Sequence, residues 1–243
     1  TGMDRTVDLL VYVLVQGKFY TLFSLLFGMG FAVMAQRAEQ AGRPFAGVYW
    51  RRGLVLLAFG LFHGVFIWAG DILVMYALCS FLLLALRPLP PRWCVWLGLA
   101  AYTVPIGLMY LMGAMGSLLG GTEGWNTFVS GAGEKMQALI ESERAAYGSG
   151  TYAEATWQRM KSTVMALSNI TMFGFIVICM FLLGAWFVRS GAIVRPRDFP
   201  RLYAGLRWVA LPVGLVAMLG SVALAPTMDG VTFDLRTSTA FAL

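Results

Sequence analysis

The chain has 243 residues, of which 59% are hydrophobic and only 12% are charged, and its mean hydropathy is +0.73. Soluble domains carry about 25% charged residues, so this composition excludes a water-soluble globule. The formal charge of +6 comes from basic residues beside apolar runs, with no basic stripe interleaved with aromatics, which argues against nucleic-acid binding. We therefore predict an all-α, polytopic transmembrane helical bundle.

The apolar runs predict about six spans. A bilayer core of about 30 Å requires roughly 20 residues of helix. The predicted spans cover about 19–35, 53–69, 71–86, 93–115, 168–188 and 205–225. Residues 7–15 are too short to cross the bilayer and predict a short amphipathic helix at the interface, or the end of a truncated span. We interpret residues 1–243 as a single membrane domain.

Two breaks divide the apolar sequence between 53 and 115. Within residues 53–86 only His63 and Asp71 are ionisable, and one straight helix of this length would be too long for a bilayer. A tight turn near Gly70 and Asp71 is expected, because glycine and aspartate both favour turns. The proline-rich segment 87–92 predicts a second break.

The basic residues indicate the topology. The segments after the first, third and fifth spans carry Arg37, Arg43, Arg51 and Arg52; Arg87 and Arg92; and Arg189, Arg195, Arg197, Arg201 and Arg207. Alternating spans place all of them on one face, which the positive-inside rule predicts to be cytoplasmic. We therefore expect a bacterial cytoplasmic membrane protein whose outer face carries the Gly70 turn and the 116–165 loop.

The 116–165 loop predicts two amphipathic helices. One apolar stripe contains Met136, Leu139, Ile140 and Tyr147, and the second contains Trp157, Met160 and Val164. Such helices lie on the outer membrane surface or cap the bundle. A lid over an outward cavity and a surface-packed loop are both open interpretations.

Several segments resemble one protein family. GKFYTLFSLLFGMGFAVM (17–34), YWRRGLVLLAFGLFHGVFIWAGDILVMYALCSFLLL (49–84), YGSGTYAEATWQRM (147–160) and FLLGAWFVRSGAI (181–193) resemble the YeiB-like family of uncharacterised bacterial membrane proteins, domain of unknown function four-one-eight. The stretch H-G-x-x-x-W-x-G-D-I-L, from His63 to Leu73, is the most specific of these features. The resemblance covers most of the chain.

The resemblance implies a function and a longer parent protein. Family members open with a span carrying an arginine–aspartate–arginine–glycine motif and close with further spans, so we expect this chain to lack the family's first and last spans. The apolar residues 238–243 look like the start of another span. The family is distantly similar to transmembrane acyltransferases, which move acyl groups from a cytosolic thioester to an acceptor across the membrane. A transport-related role has also been attached to it.

His63 and Asp71 are the candidate catalytic residues. His63 lies ~15 Å into the second span, and an ionisable group at that depth is a functional candidate. It can act as a general base, or as a neutral imidazole bonded across a helix interface. Asp71 can orient His63 or cap the third span. Because His63 lies about two turns deeper, direct contact requires a bent geometry or a bridging water.

The remaining candidates concern the donor. Arg51, Arg52, Arg37 and Arg43 can hold the phosphates of a donor such as acyl-CoA, or they can simply anchor the cytoplasmic face. Gly60 and Gly64 form a G-x-x-x-G motif, which predicts close helix packing. A single histidine and three unpaired cysteines predict no metal site and no disulfide framework.

Three functions remain open on the sequence. The first is acyl transfer to a small-molecule acceptor at the outer face. The second is transport or export of a small solute, although no internal repeat is evident. The third is a noncatalytic membrane partner subunit. All three predict contact with the lipid bilayer, and none of them excludes oligomerisation.

Overall fold

A computed structural model describes residues 18–168 and 170–224, together with Val7, Val11 and Val15. These residues form helices joined by short turns, and no β-strand occurs among them, which confirms the predicted all-α fold. The helix expected at 7–15 falls almost entirely outside the described residues, and the apolar segment 238–243 falls outside them completely.

The helices follow in chain order. They are α1 (Lys18–Gln40), α2 (Phe45–Phe62) with a π-helical turn (His63–Ile67), α3 (Leu73–Ala85), α4 (Pro91–Leu119), α5 (Glu123–Gly148), α6 (Tyr152–Ser168), α7 (Ile170–Arg189), a 3-10 turn (Pro196–Asp198), α8 (Pro200–Gly205) with a second π-helical turn (Leu206–Ala210), and α9 (Leu211–Leu224).

Four helical stretches are long and apolar enough to cross a membrane, namely Lys18–Gln40, Phe45–Ile67, Pro91–Leu119 and Pro200–Leu224. Two shorter apolar helices cover Leu73–Ala85 and Phe173–Arg189. Helices of this composition require hydrocarbon as their solvent. The chain is therefore a membrane protein.

Helix α2 begins earlier than the span expected at residue 53. It starts directly after Pro44, whose ring lacks the N–H that an additional helical turn would need. The helix consequently includes Arg51 and Arg52 in its N-terminal half, where the sequence had suggested a loop. Together with the π-helical turn it forms a continuous helix of 23 residues, Phe45–Ile67.

The described residues group into two compact units. One comprises Tyr20–Tyr102 and Glu141–Val194, and the other comprises the described residues up to Phe19, Thr103–Ile140 and the described residues from Arg195 onward. The first unit contains every candidate site residue. Its core is aromatic, with Phe31, Tyr49, Tyr76 and Phe181 almost completely buried.

Helix α1 crosses α7 at two glycines in the first unit. A Cβ atom on Gly28 would collide with the carbonyl oxygen of Phe181, and a Cβ atom on Gly184 would collide with the carbonyl oxygen of Leu25. Small residues allow membrane helices to approach this closely. The ring of Phe27 stacks on Phe181 beside the crossing, with centroids 4.6 Å apart.

Candidate functional site

His63 and Asp71 are in direct contact. The Nδ1 atom of His63 lies 3.0 Å from Oδ1 of Asp71. The Asp71 side chain is 5% exposed, whereas the imidazole is 34% exposed. A carboxylate only accepts hydrogen bonds, so this contact favours the tautomer with the proton on Nδ1. The Nε2 atom then carries the lone pair, on a ring that is one-third accessible.

The π-helical turn brings the two residues together. Its Trp68 N–H donates to the carbonyl of His63 at 2.8 Å, a wider turn than that of an α-helix. Trp68 itself is extended, with φ −151° and ψ 121°, so the helix ends four residues after His63. The chain then turns back through Gly70 to Asp71. The contact is direct and uses the bent geometry, one of the two alternatives that the sequence had left open.

The second carboxylate oxygen of Asp71 is also occupied. The backbone N–H of Val74, in the first turn of α3, donates to Oδ2 at 3.1 Å. Asp71 therefore contacts His63 and accepts a hydrogen bond from the start of α3 at the same time, so the geometry allows both interpretations of this residue. A carboxylate bonded at both oxygens has little freedom to rotate, so the orientation of the imidazole is fixed by the start of α3.

The G-x-x-x-G motif packs against two different elements. A Cβ atom on Gly60 would lie 2.6 Å from the backbone nitrogen of Val74. A Cβ atom on Gly64 would lie 3.3 Å from Oγ1 of Thr163 and 3.6 Å from Cβ of Asp71. Gly60 thus admits α3, and Gly64 admits α6, on either side of His63.

Helix α6 holds the π-helical turn through polar side chains. The hydroxyl of Tyr152 donates to the carbonyl of Phe66 at 2.8 Å, and Nε of Arg159 donates to the carbonyl of Val65 at 2.9 Å. Arg159 also lies over the Tyr152 ring, 5.2 Å from its centroid. The last carbonyls of a helix have no partner within it, and these two side chains supply one for each.

Sequence reasoning missed the role of Arg159 and Tyr152. The apolar stripe of α6 faces outward, with Trp157 and Val164 more than half exposed. The face that packs on the π-helical turn is polar, and Arg159 and Thr163 are each only 9% exposed there. The available signal was the segment 147–160, which contributes to the family resemblance and contains both Tyr152 and Arg159.

Arg51 and Arg52 line a cavity of about 610 Å³ formed by α1, α2 and α3. Its other walls are mainly apolar and include Phe27, Met34, Leu56 and Phe59, with the hydroxyls of Tyr49 and Ser80 as further polar groups. The Ser80 hydroxyl donates to the carbonyl of Ala77 at 2.7 Å. The Tyr49 hydroxyl is buried and makes no hydrogen bond within the described part of the chain.

The other two donor candidates lie elsewhere. Arg37 occupies the last turn of α1, and Arg43 lies in the turn before α2; both are exposed. Neither lines the cavity that contains Arg51 and Arg52. The structure thus brings together two of the four arginines proposed for the donor.

The cysteines and acidic residues form no metal site among residues 18–168 and 170–224. Cys79, Cys94 and Cys179 are buried and free. In the same ranges, no three His, Cys, Asp or Glu side chains are grouped closely enough to hold a metal ion.

Comparisons with known proteins find relatives without assigned functions. The chain is 32% identical over 230 residues to the uncharacterized protein YxaH of Bacillus subtilis (strain 168), an alignment that covers 88% of this chain and 52% of that protein. It is 26% identical over 216 residues to the uncharacterized protein YeiB of Escherichia coli (strain K12), again covering 88% of this chain and 52% of that protein.

A shorter match covers 83 residues of an uncharacterized 39.9 kDa protein from the amylase 3′ region of Bacillus acidopullulyticus, with 39% identity over 34% of this chain and 24% of that protein. No family model matches, and no solved structure matches. The chain spans about half the length of YxaH and YeiB. This is a membrane protein similar to YxaH and YeiB, which is consistent with a YeiB-like family.

Proposed function

We propose that this chain takes part in acyl transfer from a cytosolic acyl donor to a small-molecule acceptor at the outer face of a bacterial cytoplasmic membrane. The observation that supports the proposal best is the bond between His63 and Asp71. It combines an oriented, partly accessible imidazole with a buried carboxylate, which is the arrangement of a general base and its orienting acid.

The chemistry assigns one role to each residue. Nε2 of His63 takes the proton from an acceptor hydroxyl or amine as the acceptor attacks the carbonyl carbon of a thioester. The new ester or amide bond forms, the carbon–sulfur bond breaks, and the thiolate takes the proton back from His63. Asp71 accepts the hydrogen bond from Nδ1 throughout and stabilises the imidazolium between these steps.

The cavity beside Arg51 and Arg52 fits the donor in this scheme. Guanidinium groups bind phosphates through paired N–H donors, and the apolar walls suit a chain that leads away from a charged head. Arg52 precedes His63 by eleven residues of one helix, or about 17 Å along its axis. An extended donor such as acyl-CoA, with its phosphates at Arg52, would direct its thioester toward His63.

The test is an acyl-transfer assay on the full chain in membrane vesicles, with radiolabelled acetyl-CoA and a longer acyl-CoA as donors. The His63→Gln variant, which keeps a polar side chain, should lose transfer by roughly 10²–10⁴-fold, the usual contribution of a general base. Unchanged transfer in this variant would refute the role of His63.

The two other functions have their own outcomes in the same vesicles. Solute uptake that proceeds without any acyl donor would favour a transporter. Wild-type behaviour of a His63→Ala, Asp71→Ala double variant would favour a noncatalytic partner subunit.

The proposed orientation has a separate test. A cysteine introduced at Ser149, which lies between α5 and α6, should react with a membrane-impermeant maleimide from outside the cell, whereas one introduced at Arg197 should react only after lysis. The natural cysteines are buried and give little background. The reverse labelling pattern would show that the topology is opposite to the proposed one.

A further inference from the structure

A second cavity lies at another position in the same unit. It has a volume of about 500 Å³, and its polar lining is Gln36, Glu39, Arg87 and Arg189. Pro88 and Pro91 form one wall. No residue of this lining belongs to the cavity of Arg51 and Arg52, so the two sites are distinct.

This cavity carries a net positive charge. Arg87 forms an ion pair with Glu39 and lies over the ring of Phe45. Arg189 donates to the carbonyl of Leu89 at 2.6 Å and contacts Sγ of Cys94 at 3.5 Å. A guanidinium has five N–H donors, so these contacts leave donors on both arginines. Two cations against one carboxylate favour an anionic ligand.

The position of the cavity identifies the class of anion. Helix α1 has 23 residues, about 35 Å of helix, which exceeds a hydrocarbon core of about 30 Å. Glu39 is the penultimate residue of α1, Arg189 is the last residue of α7, and Arg87 follows α3 by two positions. All three charges therefore lie at helix ends, at the depth of lipid headgroups.

We propose that this second cavity binds the phosphate group of an anionic phospholipid. Arg87 and Arg189 would donate hydrogen bonds to the phosphate oxygens, as basic pockets between membrane helices do at the cytoplasmic side. The prolines restrict the backbone beside Arg87, which reduces the conformational freedom that lipid binding would remove. The proposal does not depend on acyl transfer.

Native mass spectrometry of the full chain in nonionic detergent tests it, with phosphatidylglycerol and phosphatidylcholine of identical acyl chains as probes. The wild type should prefer phosphatidylglycerol, and an Arg87→Gln, Arg189→Gln double variant should lose about tenfold or more in affinity for it. A matched Arg197→Gln, Arg201→Gln variant, which removes two exposed arginines, should keep the preference. Equal binding of both lipids by the wild type would overturn the proposal.

A variant that should bind the lipid more tightly distinguishes an effect on lipid binding from a loss of folding. Glu39→Gln removes the carboxylate that pairs with Arg87 in the cavity and should strengthen binding of phosphatidylglycerol, whereas a purely structural role of the ion pair predicts no gain. Inorganic pyrophosphate is the soluble competitor. If pyrophosphate displaced the lipid at equal concentration, the site would belong to a soluble phosphate compound, and the assignment to a phospholipid would be wrong.

Discussion

Asp71 bonds His63 through one carboxylate oxygen and the first turn of α3 through the other. The two residues are eight positions apart, and the helix that carries His63 ends between them. The orientation of the imidazole is therefore coupled to the place where the next helix starts. A substitution of Asp71 alters a hydrogen bond to His63 and a helix terminus together.

The first prediction concerns the tautomer of His63. Asp71→Asn replaces the carboxylate by an amide, so the proton is no longer held on Nδ1, and acyl transfer should fall by about 10³–10⁴-fold. The chain has one histidine, so ¹⁵N-histidine NMR in detergent reports on His63 alone. Asp198→Asn, which alters an exposed carboxylate, is the control. An unchanged imidazole spectrum in Asp71→Asn would contradict the assigned bond.

The second prediction concerns the approach of α3 to α2. Gly60→Ala places a methyl group 2.6 Å from the backbone of Val74, and overpacking of this kind costs about 1–3 kcal/mol. The midpoint of thermal unfolding in detergent should fall accordingly. Gly47→Ala in the same helix meets nothing within 4 Å and should leave the midpoint equal or higher. Equal midpoints for the two variants would argue against the close approach.

The third prediction concerns Arg159. Arg159→Gln leaves the carbonyl of Val65 without its donor, which should destabilise the π-helical turn by about 1–3 kcal/mol. Hydrogen exchange measured by mass spectrometry should then accelerate in residues 63–68. Arg144→Gln, on the exposed surface of α5, should leave exchange unchanged. Faster exchange in both variants would indicate a general loss of stability instead.

The fourth prediction concerns the start of α6. The backbone N–H and the hydroxyl of Thr151 donate to the carboxylate of Glu154 at 2.7 and 2.8 Å, and they lower the pKa of Glu154 below its ordinary 4.5. The hydroxyl oxygen of Thr151 accepts a hydrogen bond from the backbone N–H of Glu154, which completes a capping box.

Because the pKa of Glu154 is lower in the folded state than in the unfolded state, its ionised form stabilises the helix start at a pH above the unfolded-state pKa. This stabilisation disappears as the pH falls through the folded-state pKa. Amide exchange in residues 152–156, corrected for its intrinsic pH dependence, should therefore accelerate below about pH 4.5. Glu154→Ala should exchange fast at neutral pH without this additional step. A transition of the same size in the variant would assign the effect to another carboxylate.

The sequence predicted the membrane helices well because each of them carries a continuous apolar run, and it predicted α5 and α6 from their amphipathic stripes. It also placed the turn at Gly70 and Asp71 and identified His63 and Asp71 as a pair. It did not predict their direct contact, because a π-helical turn adds a residue without leaving a mark in composition or periodicity. It also directed attention to Trp157 and Val164 on α6, although the opposite, polar face makes the contact. When the buried face of a helix is predicted from its hydrophobic residues, a face that packs through a polar side chain such as Arg159 is overlooked.

The crossing of α1 and α7 sets a mechanical limit on the first unit. At Gly28 and Gly184 each helix lies against the peptide backbone of the other, so sliding along either axis would drive a carbonyl oxygen into a main chain. Such a contact opposes translation of one helix along the other more than it opposes a change in their crossing angle. Under the proposed function, we expect the movement that admits a substrate to His63 to occur where α6 is attached to the π-helical turn, because the hydrogen bonds of Tyr152 and Arg159 to that turn can break one after the other.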